Sequence, residues 1–278
     1  MALLGKMNHL QIIKKTDFGF YLDGKSLGEI LMPKRYITSE MQVGNEIDVI
    51  VYLDGEERYV ATTEIPLATV GQVAYLKVNS IEKVGAFLDW GVSKELLVPF
   101  SEQKTKMEAG KSYIVYVYVD KITNRITGSM RLERFLSKKL PSFNVGDPVS
   151  ILVWTKTDLG YKVVIEHQWI GVVYGNEVLQ PIHYGQTTQG YIQKMRPDGK
   201  IDVSLQPLGK QKFDHGAEII LRMLEKSGGS LPYSDKTDPE VIYSIFKMSK
   251  KAFKASIGNL YKARKITITP NGIRLANN

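Results

Sequence analysis

An internal repeat of 66 residues constrains the fold of this chain more than any other feature. The shift aligns three glycines and one proline of the first copy with the same residue types in the second: Gly5, Gly19, Pro33 and Gly44 with Gly71, Gly85, Pro99 and Gly110. At this composition such a set of matches is expected by chance roughly once in 10⁴ trials. A weaker third copy follows at an offset of 75, which aligns Tyr116, Arg125, Ile126 and Ser129 with Tyr191, Lys200, Ile201 and Ser204.

Each copy has the periodicity of β-strands. Apolar side chains occupy every second position from Ile47 to Leu53 and again from Tyr113 to Val119, which places them on one face of a strand. The glycines recur where a short barrel must turn sharply. About five short strands in roughly 66 residues suit a small closed barrel such as the OB-fold. We therefore predict a mainly β protein with three tandem barrels at residues 1–66, 67–140 and 141–212.

The last segment, residues 213–278, changes to helical periodicity. A first helix runs from Ala217 to Glu225 and ends at two glycines, and Asp238 followed by proline starts a second helix. Ser249 caps a third helix, whose predicted apolar stripe consists of Phe253, Ile257, Leu260 and Tyr261. A hairpin turn is predicted at Pro270-Asn-Gly272. Three helices followed by a β-hairpin is the order of a winged helix, an α+β domain whose third helix contacts nucleic acid.

Charge is distributed unevenly among these four segments. The chain has a net charge of +8 and a pI near 9.3. The first segment carries a net charge of −3, the second +5, the third +1 and the last +5, and no acidic residue follows Glu240. A basic surface that lacks interspersed acids is typical of phosphate binding. A polyanionic partner is therefore expected for the second and last segments.

Composition excludes several classes of function. The chain has no cysteine and only four scattered histidines, so no disulfide, thiolate metal site or cofactor is expected. Walker, dinucleotide-binding, zinc-protease and serine-hydrolase motifs are absent from the sequence. No apolar run is long enough for a membrane span, and the apolar stretch at the start is too short for a signal peptide. We therefore expect a cytoplasmic protein that is not an enzyme and has no membrane partner.

The middle copy resembles an S1 RNA-binding domain. The segments that carry the resemblance are Gly71-Gln-Val73, Gly85-Ala-Phe-Leu-Asp-Trp-Gly91, Leu96-Leu-Val-Pro99, Gly110-Lys and Arg125-Ile-Thr-Gly-Ser129. The first copy shows a weaker form of the same pattern, and the third copy has Lys162 at the position of the stacking aromatic. Three such modules followed by a winged helix that contains Ser249-Lys-Lys-Ala-Phe-Lys254 resemble the bacterial conserved virulence factor B family. This resemblance implies an RNA-binding cytoplasmic regulator of gene expression without known catalysis.

Eleven residues are candidates for nucleic-acid binding. Phe87 and Trp90 correspond to S1 positions that stack on bases, although Phe87 also suits a core position. Tyr118, with Lys77 near it, suits a single-strand groove, and ordinary surface residues are the alternative. Arg125 and Arg131 are phosphate candidates. The third C-terminal helix and its end supply the remaining cations, which could also be solvated or face a protein: Lys250, Lys251, Lys254, Lys262 and Arg264.

Three functions remain open at the level of sequence. The first is a non-catalytic RNA-binding protein that regulates gene expression after transcription or during translation, with single-stranded RNA as its partner. The second is a winged-helix regulator of transcription that binds DNA. The third is an interaction scaffold whose barrels or winged helix bind protein, including a ribosomal surface. Attraction to phosphate does not separate RNA from DNA, because both backbones carry it.

Overall fold

Fifteen of the strands form three barrels. The computed structural model describes residues 2–175, 178, 181–207, 210–269 and 271–276. The first barrel contains β1 (Met7–Lys15), β2 (Gly19–Asp23), β3 (Glu29–Pro33), β4 (Glu46–Leu53) and β5 (Tyr59–Thr62). The middle barrel contains β6 (Val73–Glu82), β7 (Gly85–Asp89), β8 (Leu96–Pro99), β9 (Ser112–Val119) and β10 (Ile126–Ser129). The third contains β11 (Pro148–Thr157), β12 (Gly160–Ile165), β13 (Trp169–Tyr174), β14 (Thr187–Met195) and β15 (Ile201–Ser204).

All three barrels share one strand order. In the first barrel the neighbours run β1-β2-β3-β5-β4, and β4 pairs with β1 to close the sheet. The middle and third barrels repeat this order, including a parallel pairing between their third and fifth strands. This is the OB-fold arrangement that the repeat predicts. Closure removes the free sheet edges through which tandem β-modules would otherwise aggregate.

The strand register confirms the 66-residue offset. Tyr21 lies opposite Leu31 in the first barrel, and Phe87 lies opposite Leu97 in the middle barrel. Each of these positions is shifted by 66 residues between the two copies. The repeated glycines have a steric reason as well. At Gly19 and Gly85 the backbone has a φ of 153° and 154°, and an added Cβ would lie 2.0 and 2.3 Å from a carbonyl oxygen of the adjacent strand.

The first and middle barrels are joined by a hydrogen-bonded connection. Oε1 of Glu64 accepts from Oγ of Ser93 at 2.5 Å, and Oε2 accepts from the Ser93 backbone N–H at 2.8 Å. Oε2 also accepts from the buried Tyr36 hydroxyl at 3.2 Å and from Oγ1 of Thr62 at 3.3 Å. Burial alone would raise the pKa of the Glu64 carboxyl, but the hydrogen bonds from Ser93, Tyr36 and Thr62 outweigh it and lower the pKa.

Two compact units make up the described chain. The first comprises residues up to Lys138 together with Val164–Trp169 and Tyr184–Gln186, and it therefore contains the first and middle barrels. The second comprises Lys139–Val163, Ile170–His183 and the residues from Thr187 onward. No helix in the described part of the chain is long and apolar enough to cross a membrane.

The C-terminal domain is a winged helix. Its elements are α1 (Lys210–Lys226), β16 (Ser230–Leu231), α2 (Pro239–Phe246), α3 (Lys250–Lys262), β17 (Ile266–Thr269) and β18 (Gly272–Leu275). The predicted caps form: Asp238 accepts from the backbone N–H of Glu240 at 2.8 Å, and Ser249 accepts from that of Ala252 at 3.3 Å. Both bonds satisfy amide groups that a helix start leaves unpaired.

Three details of this domain differ from the sequence expectation, and the first is that α1 begins at Lys210 and not at Ala217. The short strand β16 pairs with β18 and completes a three-stranded sheet, whereas a two-stranded hairpin was predicted. Tyr261 was predicted in the apolar stripe of α3, but its side chain is 56% exposed, while Phe253, Ile257 and Leu260 are buried in the core. The hairpin pairing of Thr269 with Gly272 agrees with the predicted turn, of which Pro270 lies outside the described residues.

Candidate nucleic-acid interface

Phe87 lies on the outer surface of the middle barrel. Strand alternation buries its neighbours Ala86 and Leu88 in the core, whereas Phe87 is half-buried. An open cavity of about 480 Å³ lies over this position, here called the Phe87 cavity, and its lining residues are Asn79, Phe87, Asp89, Val92, Ser93, Lys94 and Glu95. An aromatic side chain with hydrogen-bonding groups and a lysine around it is an arrangement on which an unpaired base can stack.

Trp90 does not take part in this surface, and the prediction that it stacks on a base is wrong. Its side chain is 1% exposed and packs in the core of the middle barrel. The indole N–H donates to the backbone carbonyl of Lys94, and the Trp90 carbonyl accepts from the Leu67 N–H at 2.7 Å. Trp90 is three positions from Phe87, so the alternation that turns Phe87 and Asp89 outward turns Trp90, like Leu88, toward the core.

Lys77 is exposed, but it is not a neighbour of Tyr118. It lies opposite Asp89 on β7 and opposite Ser112 on β9. Tyr118 is six residues farther along β9, which corresponds to about 20 Å of extended strand. The two side chains therefore do not form the predicted groove. Lys77 lies instead on β6 opposite Asp89, and Asp89 lines the Phe87 cavity.

Tyr118 is covered by an aromatic residue from the segment that follows β10. The ring of Phe135 stacks on Tyr116 with centroids 4.6 Å apart and an interplanar angle of 11°, and it lies 4.7 Å from the Tyr118 ring. Burial, assisted by the carboxylates of Glu102 and Asp120, raises the pKa of Tyr118 to about 12. Phe135 therefore already packs against the ring at which an open stacking face was predicted, and contact of the half-buried Tyr118 with nucleic acid stays a prediction.

Arg125 and Arg131 lie apart from the Phe87 cavity. A guanidinium nitrogen of Arg125 is 3.8 Å from Oε1 of Glu57, and Nε of Arg131 donates to the Ser101 carbonyl at 3.0 Å. Neither arginine lines the cavity. The Arg125 side chain is 43% exposed and Arg131 is half-buried, so contact with phosphate remains a prediction for both.

The other two barrels carry a lysine over an aromatic ring on their first two strands, with the two residue types exchanged between the strands in the third barrel. In the first barrel Nζ of Lys14 on β1 lies 4.6 Å from the centroid of Tyr21, which matches Phe87. In the third barrel Nζ of Lys162 on β12 lies 5.0 Å from the ring of Trp154. Within the described residues no such cation lies over Phe87, so the middle barrel presents the open aromatic.

Helix α3 provides a second basic surface. Lys251, Lys254 and Lys262 on the helix and Arg264 just after it are exposed, and Lys250 at its start is half-buried. Nζ of Lys254, whose side chain is 68% exposed, lies 3.6 Å from Oδ2 of the half-buried Asp235. Such a pair is weak and exchangeable. The structure therefore leaves the predicted cations of α3 accessible to phosphate.

Sequence reasoning missed several residues of these surfaces. Asn79 and Asp89 line the Phe87 cavity, and strand alternation places Asp89 on the same face as Phe87. Lys265, exposed beyond α3, and the exposed Tyr261 extend the basic surface of the winged helix. Tyr261 could have been recognised by its angle on the helix, because it lies seven positions, or close to two full turns, after the exposed Lys254 and therefore near the same face.

Comparison with known proteins agrees with this architecture. The S1 domain model matches residues 4–64 and 70–130, which are the first and middle barrels, and the CvfB-like winged helix domain model matches residues 218–275. Neither model describes a catalytic family. S1 domains and winged helices are nucleic-acid-binding modules, so the chain has the domain content of a nucleic-acid-binding protein.

Similar proteins match over nearly the full length. A Bacillus subtilis (strain 168) protein described as uncharacterized protein YitL is 28% identical, with 94% of this chain and 90% of that protein covered. Conserved virulence factor B of Staphylococcus saprophyticus is 24% identical, with 98% and 94% covered. A crystal structure of a multidomain protein with nucleic acid binding domains from Streptococcus pneumoniae is 25% identical over 98% of both chains, with a TM-score of 0.41. With its S1 domains, its CvfB-like winged helix domain and its nearly full-length similarity to proteins named conserved virulence factor B, the chain belongs to the conserved virulence factor B family.

Proposed function

We propose that this protein binds single-stranded RNA, without catalysing a reaction on it, and regulates gene expression after transcription or during translation. The observation that carries the proposal is the open aromatic at Phe87. In the first barrel the equivalent aromatic, Tyr21, lies under Lys14, and in the third barrel Lys162 stands at the equivalent position. Phe87 instead faces a cavity of about 480 Å³. We therefore propose that RNA binds to the surface of the middle barrel around Phe87, here called the reading surface.

The preference for a single strand follows from the geometry of stacking. A base can pack on Phe87 only when it is splayed out of a helix, because the bases of a duplex are stacked on each other. Base–aromatic stacking contributes about 1–3 kcal/mol per base and tolerates different sequences. Lys77 and Lys94 at the edge of the surface offer charge to the adjoining phosphates. The S1 resemblance of the middle barrel favours RNA over DNA.

The proposal of a non-catalytic role rests on the content of the described chain. Its elements belong to three barrels and a winged helix, and the described residues contain no cluster of three or more potential metal ligands. RNA as the partner implies that the protein acts in the cytoplasm. Regulation of gene expression is the role that the similarity to the conserved virulence factor B family favours for such a protein.

The exposed cations of α3 favour a second candidate, a winged helix that binds duplex nucleic acid. The surface combines Lys251, Lys254 and Lys262 with no acidic residue on the helix itself. It offers charge but no cavity with an aromatic floor, so it should accept a phosphate backbone of either sugar type. The DNA-binding regulator and the protein scaffold remain the alternatives to the RNA proposal.

A direct comparison of three ligands tests the proposed function. Fluorescence anisotropy at one salt concentration would measure the affinity for single-stranded RNA, single-stranded DNA and duplex DNA of one sequence. We expect single-stranded RNA to bind most tightly. Tightest binding to duplex DNA would favour the transcriptional regulator, and no binding to any of the three at low salt would favour the scaffold.

A further inference from the structure

The first and middle barrels differ at one position that decides whether the aromatic surface is covered. Lys14 lies opposite Tyr21 in the first barrel, and Ser80 lies opposite Phe87 at the equivalent position of the middle barrel. In the first barrel Nζ of Lys14 lies over the Tyr21 ring and donates to Oε2 of Glu29 at 2.7 Å. The lysine thus places an N–H donor between an aromatic ring, Tyr21, and a carboxylate, Glu29.

The middle barrel has the equivalent aromatic ring and carboxylate but lacks the lysine. Phe87 matches Tyr21, and Glu95 matches Glu29 at the same offset of 66 residues. The serine hydroxyl of Ser80 is too short to take the position that the Lys14 ammonium occupies. Both Phe87 and Glu95 line the Phe87 cavity. The middle barrel can therefore accept an external group that combines a flat apolar face with N–H donors.

A second carboxylate shows the same contrast. In the first barrel Asp23 forms a salt bridge with Lys25 at 2.7 Å. In the middle barrel the equivalent pair is Asp89 and Gly91, and the Gly91 backbone N–H donates to Oδ1 of Asp89 at 3.0 Å. Among the described residues Asp89 has no salt bridge within 4 Å. Its other oxygen, Oδ2, can accept a hydrogen bond from a ligand.

The groups around Phe87 are mainly hydrogen-bond acceptors. Nδ2 of Asn79 donates to Oε1 of Glu95 at 2.7 Å, which directs the amide nitrogen toward the protein. Asn79, Glu95 and Asp89, which line the cavity together with Ser93 and Lys94, each have one further acceptor oxygen: Oδ1, Oε2 and Oδ2. Guanine is the RNA base whose Watson–Crick edge presents two adjacent donors, N1–H and the N2 amino group. Adenine, cytosine and uracil each present one donor group on that edge.

We propose that the Phe87 cavity binds an unpaired guanine, with the base stacked on Phe87 and its donor edge turned toward Asp89 and Glu95. This inference rests on the proposed function, because it assigns a base preference to the same surface. Carboxylate acceptors repel the acceptor-rich edges of the other bases, so they provide discrimination against these bases as well as attraction for guanine.

Four oligouridines that differ in one central base test the preference. The central base is guanine, adenine, cytosine or inosine, which pairs like guanine but lacks the N2 amino group, and anisotropy measures the affinity of the full-length protein. We expect the guanine oligonucleotide to bind about tenfold more tightly than those with adenine or cytosine. Inosine should be intermediate, because it retains one of the two donors.

Two variants connect the preference to the cavity. S80K recreates the lysine of the first barrel. It should abolish the guanine preference and weaken RNA binding, although it adds a positive charge. S80A is its control and should keep both the guanine preference and the affinity of the parent protein. D89N replaces one acceptor oxygen by a donor and should reduce the preference. Equal binding of the four oligonucleotides by the parent protein, or an unchanged guanine preference in S80K, would overturn the inference and leave RNA binding intact. Absence of binding to all four at low salt would instead overturn the proposed function.

Discussion

Phe87 and Trp90 are three residues apart and differ in what holds them in place. Trp90 fills the core of the middle barrel and donates its indole N–H to a backbone carbonyl, so its side chain is fixed on all sides. Phe87 contacts the barrel with one part of its ring and faces an open cavity with the rest. Trp90 therefore contributes to folding stability, whereas Phe87 is available to a ligand.

Substitution of the two aromatics by alanine should separate these contributions. W90A removes a fully buried side chain, and we expect it to reduce the free energy of unfolding by about 3–5 kcal/mol. F87A should cost less than half as much, because its ring is only partly buried. Urea unfolding followed by circular dichroism measures both. A larger loss for F87A than for W90A would contradict the assignment of Trp90 to the core.

The residue scale also shows where sequence reasoning succeeds and fails. Period-two alternation correctly predicts that Leu88 is buried and allows Phe87 to face outward, because both lie within β7. Trp90 lies one residue beyond β7 and follows the same alternation to the inward side, which its assignment to stacking from the S1 resemblance did not take into account. Tyr118 is on the outward face as predicted, but its cover comes from Phe135, seventeen residues later in a segment without strand periodicity.

At the scale of elements, Glu64 is the central residue of the connection between the first and middle barrels. Its carboxylate accepts from Tyr36 of the first barrel and from Ser93 of the middle barrel. A hydrogen bond to a charged acceptor contributes more than one between neutral groups. The connection therefore depends on the ionised form of this carboxyl group.

E64Q should lower the free energy of unfolding by about 1–2 kcal/mol, because the amide keeps one acceptor oxygen and loses the charge. E57Q is a suitable control, since Glu57 is exposed and its nearest cation, Arg125, is 3.8 Å away. Urea unfolding at neutral pH would measure both variants. Equal effects of E64Q and E57Q would contradict the structural role of Glu64.

The pKa of Glu64 gives this contribution a direction with pH. The folded-state pKa is lowered from the ordinary value of 4.5. The stabilisation is therefore fully present above that ordinary value and is lost as the pH falls through the lowered folded-state pKa. The difference in unfolding free energy between the parent and E64Q should shrink in acid. A difference that grew in acid would contradict the sign of the shift.

Helix α3 can be tested through the salt dependence of binding. K251Q/K254Q removes two exposed cations, and each lost phosphate contact should flatten the slope of log K against log salt by about 0.9 on a duplex and 0.7 on a single strand. R222Q/K226Q on α1 removes two exposed cations of the same domain and serves as the control. An equal change of slope in both double variants would show that α3 has no particular role.

At the scale of the whole molecule, the repeat and the helix signals were sufficient for the architecture. Glycines with fixed backbone roles and cap residues such as Asp238 act locally, so the sequence records them directly. The Phe87 cavity depends on residues from β6, β7 and the loop after it, which only strand pairing brings together. The sequence therefore predicted its central aromatic, Phe87, but not its acceptors Asn79 and Asp89.

The measurement that tests the account most directly is the affinity of F87A for single-stranded RNA. Circular dichroism and thermal melting would first confirm that the variant is folded, and Y21A serves as the matched control, because Lys14 already covers Tyr21 in the first barrel. We predict that F87A loses about 1–3 kcal/mol of binding free energy on single-stranded RNA, that its binding to duplex is unchanged, and that Y21A loses less. A folded F87A that binds single-stranded RNA as tightly as the parent protein would contradict the assignment of the middle barrel as the reading surface.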